Sequence, residues 1–122
     1  MTINALKTFL QEHFPEYSGY SIEYAKRPSR NNFGRFFPKE NRIVIHDKSS
    51  ATTYRTEDEI KRTAIHELAH FVQYSQGYRR IKGIMHNQEF VNIFKNLLLR
   101  VYDEDYVNQH ITSRFKKPRK IR

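Results

Sequence analysis

Apolar residues recur at helical spacing over residues 3–14, where Ile3, Leu6, Phe9, Leu10 and Phe14 share one face and Pro15 closes the segment. The period then changes. Residues 20–25 (YSIEYA) and 42–46 (RIVIH) are rich in β-branched and aromatic side chains and predict strands. Asn31, Asn32 and Gly34 mark a turn before a third candidate strand at 34–37. Thr56 followed by Glu59 has the form of a capping box, in which each side chain satisfies an orphan amide of a helix start. It predicts a helix running to about Ser75, with Gly77 as its stop. Phe90, Ile93, Phe94, Leu97, Leu98 and Val101 form one apolar stripe and predict a last helix over 88–102. Helix, short strands, then helices describe an α+β domain with a small antiparallel sheet.

At 122 residues one domain is expected. Only 38% of the chain is hydrophobic, but nine Phe and eight Tyr supply enough bulk for a modest core. No apolar run approaches the roughly 20 residues that span a bilayer. The start MTINALKTFLQEHF has no charged region followed by an apolar one, so a cytoplasmic protein is expected, or a nucleoid or nuclear one if it associates with DNA. A monomer is expected as well. The absence of cysteine excludes disulfides, thiolate zinc sites and cysteine nucleophiles together. Any metal must therefore sit on His, Asp or Glu.

The net charge of +9 is unevenly spread. Residues 114–122 (RFKKPRKIR) carry six basic side chains and no acid, and without them the charge is only +3. With Pro118 inside it, this stretch is expected not to pack as a regular element, which puts a domain at 1–112 and a flexible basic tail at 113–122. Residues 26–42 carry six more basic residues against the single acid Glu40.

The predicted middle helix contains His66-Glu67-Leu68-Ala69-His70, an HExxH motif. Histidines at i and i+4 stand one turn apart on one face, so both imidazoles can reach one tetrahedral metal. Glu67 lies about 100° round the helix from His66 and can act as general base toward a zinc-activated water without binding the metal. With His66 at zero, His70 falls at about 40°, while Ile60, Ala64, Leu68, Phe71 and Val72 fall between about 120° and 240°. A histidine face and a core face are thus expected on opposite sides. Any amphipathic helix with two histidines shows the same pattern.

A catalytic zinc takes three protein ligands and leaves one position open. An HExxHxxGxxH arrangement would need Gly and His where Gln73 and Gln76 stand. Downstream, His86 and Glu89 both remain as third-ligand candidates, sixteen and nineteen residues beyond His70. HELAH followed by His-x-x-x-Phe resembles the SprT-like metallopeptidases, in which HExxH precedes a histidine in an HGxxF or HGxxW context. His66, Glu67, His70, His86 and Phe90 match that pattern. The resemblance implies a zincin-like minimal metalloprotease domain, one Zn2+ held by His66, His70 and His86, and Glu67 as the catalytic base. It leaves Glu89 a supporting or helix-capping role. Two departures stand out: Asn87 replaces the family's usual Gly, and the Cys-rich zinc ribbon that follows the domain in many members has no counterpart here.

Other polar residues say less. His13, His46 and His110 are expected at the surface or the core edge. Tyr74, Tyr78 and Arg79 follow His70 and could donate to an oxyanion, although packing and solvation explain them as well. Strand 42–46 offers either core packing or an edge along which a peptide substrate adds as a strand. The expected activity is endopeptidase action on a protein or peptide substrate. The resemblance adds proteins associated with DNA, to which Arg114, Lys116, Lys117, Arg119, Lys120 and Arg122 would supply charge. Six phosphates neutralised on duplex DNA would give a log–log salt slope of roughly −5, and deletion of 114–122 should weaken DNA binding at low salt. The alternatives are a nucleic-acid-binding or interaction protein with a structural or absent zinc, and a metalloregulator of the ImmA/IrrE kind.

Overall fold

The computed structural model describes residues 1–77 and 86–115. Helix α1 (Ile3–His13) begins where the Thr2 hydroxyl accepts from the Ala5 amide at 3.0 Å. Strands β1 (Ser21–Tyr24), β2 (Gly34–Phe37) and β3 (Arg42–Ile45) form a sheet in the order β1-β3-β2, and β4 (Lys48–Ser50) pairs with β5 (Thr53–Tyr54) as a separate hairpin. Helices α2 (Glu57–Ser75), α3 (Gln88–Leu98) and α4 (Glu104–Phe115) follow. No helix among the described residues is long and apolar enough to cross a membrane.

The three-stranded sheet is mixed, which corrects the expected antiparallel one. β2 and β3 are joined by a single 3-10 turn over Pro38–Glu40 and must run antiparallel, with Gly34 opposite Ile45. β1 lies on the other side of β3 and runs parallel to it, Ile22 opposite Ile43. Alternating apolar residues mark which face of a strand is buried and carry no information on the direction of its neighbour. This order makes β3 the central strand, so 42–46 offers no free edge to a peptide. Among the described residues the sheet's outer sides belong to β1 and β2 instead, and of the two β2 lines the cleft described below.

Helix α2 is the axis of the molecule. Its capping box forms as expected: the Thr56 hydroxyl accepts from the Glu59 amide at 3.1 Å, and Glu59 accepts from the Thr56 amide at 2.9 Å. Gly77, at φ +89°, supplies the left-handed turn just beyond its C-terminus. Leu68, Phe71 and Val72 are buried as expected, with Ile43 and Ile45 in the same core. Phe36 of β2 meets Phe71 and Tyr74 edge-on at 6.1 Å. Gly34 brings β2 close to the helix, since a Cβ there would stand 2.8 Å from Thr63 Cγ2.

The histidine side of α2 is also covered, by α3 and α4, so Ile65, His66 and Ala69 are buried too. The apolar stripe that suggests helix over 88–102 is cut at Leu98. Residues 99–102 form tight turns, and Asp103 then caps a new helix by accepting from the Tyr106 amide at 2.8 Å. α4 buries only Val107 and Ile111, too little periodicity to be read from EDYVNQHITSRF. It carries the chain through Phe115, so residues 113–115 belong to a packed helix rather than to the expected tail.

Arg55 holds the connection between sheet and helix. It is buried, its guanidinium donates to the carbonyls of His46, Lys48, Ser29 and Arg30 at 2.8–3.2 Å, and it lies 4.0 Å over the Phe33 ring. A planar five-donor fork suits this clamp, and a lysine cannot reproduce it. Arg55→Ala should destabilise the fold by about 2–4 kcal/mol, read as a fall in Tm on the order of 10 °C, with Arg55→Lys in between. Equal melting of the alanine variant and the natural chain would show that water replaces the guanidinium without loss.

Candidate metal centre

Successive turns of α2 place Arg62, His66, His70 and Gln73 along one side, facing α3 and the cleft. His86 sits at the entry to α3 and reaches across, its Nε2 3.0 Å from His66 Nε2. Ligand atoms of His66, His70 and His86 all lie within 4.8 Å of one another. Tetrahedral ligands about 2.0–2.1 Å from a zinc ion stand roughly 3.3 Å apart, so three imidazoles so grouped suit one ion of that kind. A set of three neutral nitrogens, with no carboxylate or thiolate in it, has the composition of a catalytic site rather than of a closed structural one.

The local sequence explains the third histidine. Asn87 caps α3, its Oδ1 accepting from the Phe90 amide at 2.9 Å with an ordinary extended backbone (φ −78°). The residue that replaces glycine therefore starts the helix immediately after His86. Gln73 of α2 donates to the same Asn87 oxygen at 3.0 Å and to Glu89 at 3.2 Å, pinning the α3 entry against the motif helix. Glu89 is thus turned to Gln73 and is absent from the histidine cluster. Four residues after His86, Phe90 comes round one turn of α3 and stacks on His70, centroids 4.1 Å apart. Phe94 and Phe115 flank His66 at 5.0 and 6.2 Å.

This aromatic enclosure sets the electrostatics. Burial, then the neighbouring His70 and His86, hold the His66 imidazole well below its ordinary pKa. Burial and then Arg114 lower His86 in the same direction. Both therefore stay neutral at pH 7, the form in which imidazole binds a metal. Glu67 is only 6% exposed, and burial pushes its carboxyl up to about 8, with Arg114 pulling the other way. A carboxylate so placed gains strongly from a nearby positive charge and is readily protonated without one.

Glu67 opens on a cleft of 870 Å³ that also exposes His66, His70 and His86. Its far wall is β2, with Gly34, Arg35, Phe36 and Phe37. Tyr74 lines the cleft as well, while Tyr78 and Arg79 lie outside the described residues. His13 and His46 stand apart from it; His46 Nδ1 is engaged by the Arg27 carbonyl at 3.0 Å. His110 is half-buried at the edge of the core, where it lines the cleft, with Nδ1 3.2 Å from Arg62 Nη1. Burial, then Arg62 and Arg114, lower its imidazole to about 4. The sequence signal for His110 was its four-residue spacing from Arg114, which matters only once α4 is known to be a helix. Of the basic residues expected to meet DNA, Arg114 is on α4 beside the cleft, and Lys116, Lys117, Arg119, Lys120 and Arg122 lie outside the described residues.

No curated protein and no solved structure matches the chain. The family model described as the SprT-like family matches residues 2–114, nearly the whole length, and this is a family of zinc-associated, metallopeptidase-like domains. The match takes in the motif helix, His86 and the α3 entry, together with the mixed sheet and α4, so the chain belongs to the SprT-like family.

Proposed function

We propose that the protein is a zinc-dependent endopeptidase of zincin type. The observation that carries this reading is the convergence of His66, His70 and His86 beside Glu67 at the floor of an open cleft. Zinc bound by the three imidazoles would supply a Lewis acid that polarises the scissile carbonyl and acidifies water. Glu67 is the base: its carboxylate takes the proton of the attacking water and returns it to the leaving amine. The aromatic cover of His66 and His70 limits competing water. β2 is the strand along which an extended peptide is held, because it lines the cleft and, among the described residues, no strand pairs with its outer edge. The action on DNA-associated proteins is part of the same proposal, and the charge of residues 114–122 is what supports it.

The test is cleavage of an unfolded protein by the zinc-loaded chain, with loss of activity on chelation and its return on adding zinc. Cleavage that survives complete removal of metal would overturn the zinc mechanism. Binding of one zinc per chain without cleavage of any unfolded substrate would leave a metal-binding domain and favour the interaction-protein alternative.

A further inference from the structure

Beside the histidine triad, the cleft continues into a smaller recess of 480 Å³ lined by Arg62, His86, His110, Ser113, Arg114 and Phe115. Its polar groups come from α2, α4 and the entry to α3, so the tertiary fold assembles it. Arg62 Nη1 lies 3.2 Å from His110 Nδ1. A guanidinium only donates, so this contact leaves Nδ1 as the acceptor and places the ring proton on Nε2. His110 is therefore a neutral N–H donor, like the hydroxyl of Ser113.

The acids near this recess are already engaged. Asp58 lies 3.5 Å from Arg62 Nε, but its two oxygens also accept from Tyr102 and Tyr106 at 2.8 Å each. Glu59 is held in the capping box, and Glu67 faces the triad. Among the described residues, no carboxylate is in ion-pair range of Arg114. Arg114 lines both the main cleft and this recess, which places it beside the site.

We propose that this recess is a carboxylate-binding subsite, in which Arg62 and Arg114, with the donors of His110 and Ser113, receive an acidic group of the peptide held in the cleft. The peptide setting rests on the endopeptidase reading. Two guanidiniums with neutral donors between them match the several lone pairs of a carboxylate, and Arg makes such contacts in paired geometry. Position follows from helix geometry. Arg62 precedes His66 by four residues of α2, a rise of about 6 Å, and an extended peptide advances about 3.3 Å per residue. The recognised group therefore lies about two residues from the scissile bond. It is either an acidic side chain there or the carboxylate of a chain that ends there.

The experiment uses the zinc-loaded full chain and four fluorescent peptides. These carry Glu or Gln at the second position from the cleavage point, toward the recess, and short versions end there with a free or amidated terminus. Binding is read by anisotropy on Glu67→Gln, and cleavage by kcat/KM on the natural chain. The expected result is a preference of tenfold or more for the acidic or free-terminus peptide, falling below threefold in Arg114→Gln and partly restored in Arg114→Lys. A contrast confined to Glu against Gln assigns a side-chain subsite; one confined to the termini assigns recognition of chain ends. Absence of both contrasts, or a contrast that Arg114→Gln leaves intact, overturns the proposal, since a carboxylate merely binding the zinc would not respond to Arg114. The binding arm keeps the two readings apart. Peptides that bind with the contrast but are never cleaved refute the peptidase and retain the subsite, and cleavage without contrast does the reverse.

Discussion

Glu67→Gln should reduce peptide hydrolysis by 10²–10⁴-fold or more while the protein keeps its fold and its zinc. Gln fills the same volume at a position only 6% exposed, so packing against the cleft floor is preserved. It has no basic oxygen, so a water attacking the carbonyl finds no acceptor for its proton. Glu67 is also outside the histidine cluster, which is why metal content should not follow activity. The burial that raises its carboxyl to about 8 gives the substitution a second consequence. Gln is neutral at every pH, so in the metal-free protein the variant no longer buries a negative charge, and thermal stability of the metal-free variant above neutral pH should rise or hold. The sign follows from linkage: a carboxyl whose folded pKa lies above its unfolded value costs stability as pH rises through that interval. Metal content and melting measured beside kcat/KM decide the matter. Full activity in Glu67→Gln would remove Glu67 as the base, and parallel loss of zinc and activity would make it a structural residue.

The second large effect is expected at His86. His86→Ala removes one of three converging imidazoles and should weaken zinc binding by well over the 10–100-fold typical of losing an outer partner. Glu89→Ala should stay within that smaller range, because Glu89 acts only through Gln73, 3.2 Å away. Competition with a chelator of known affinity measures both. Retention of zinc by His86→Ala with loss in Glu89→Ala would reverse the assignment of the third ligand. Gln73→Ala provides the intermediate case, since Gln73 joins both Asn87 and Glu89 to the motif helix.

Much of this site is local chemistry. The capping box at Thr56 and Glu59, the i,i+4 histidines and the glycine stop at Gly77 lie within a single helix, so spacing along the chain is spacing in space. The same holds for His86 and Phe90, four residues apart across the start of α3. What periodicity could not supply was direction and closure. The parallel pairing of β1 with β3 depends on where the chain crosses after Tyr24, and side-chain alternation is blind to that path. It put 42–46 at the centre of the sheet and left β2 as the edge strand that lines the cleft, and with it the wall available to a substrate. α4 was equally hidden, because a helix with two buried residues has almost no apolar stripe.

The sequence by itself therefore determined the motif helix, its limits and the residue types able to hold a metal, since each follows from contacts within a few residues. Only the tertiary structure grouped His86, and not Glu89, with His66 and His70, brought His110 and Arg114 to the cleft and buried both faces of α2. Those outcomes depend on how helices distant in the chain pack together. Such contacts are selected by the burial of whole faces, which no local pattern encodes.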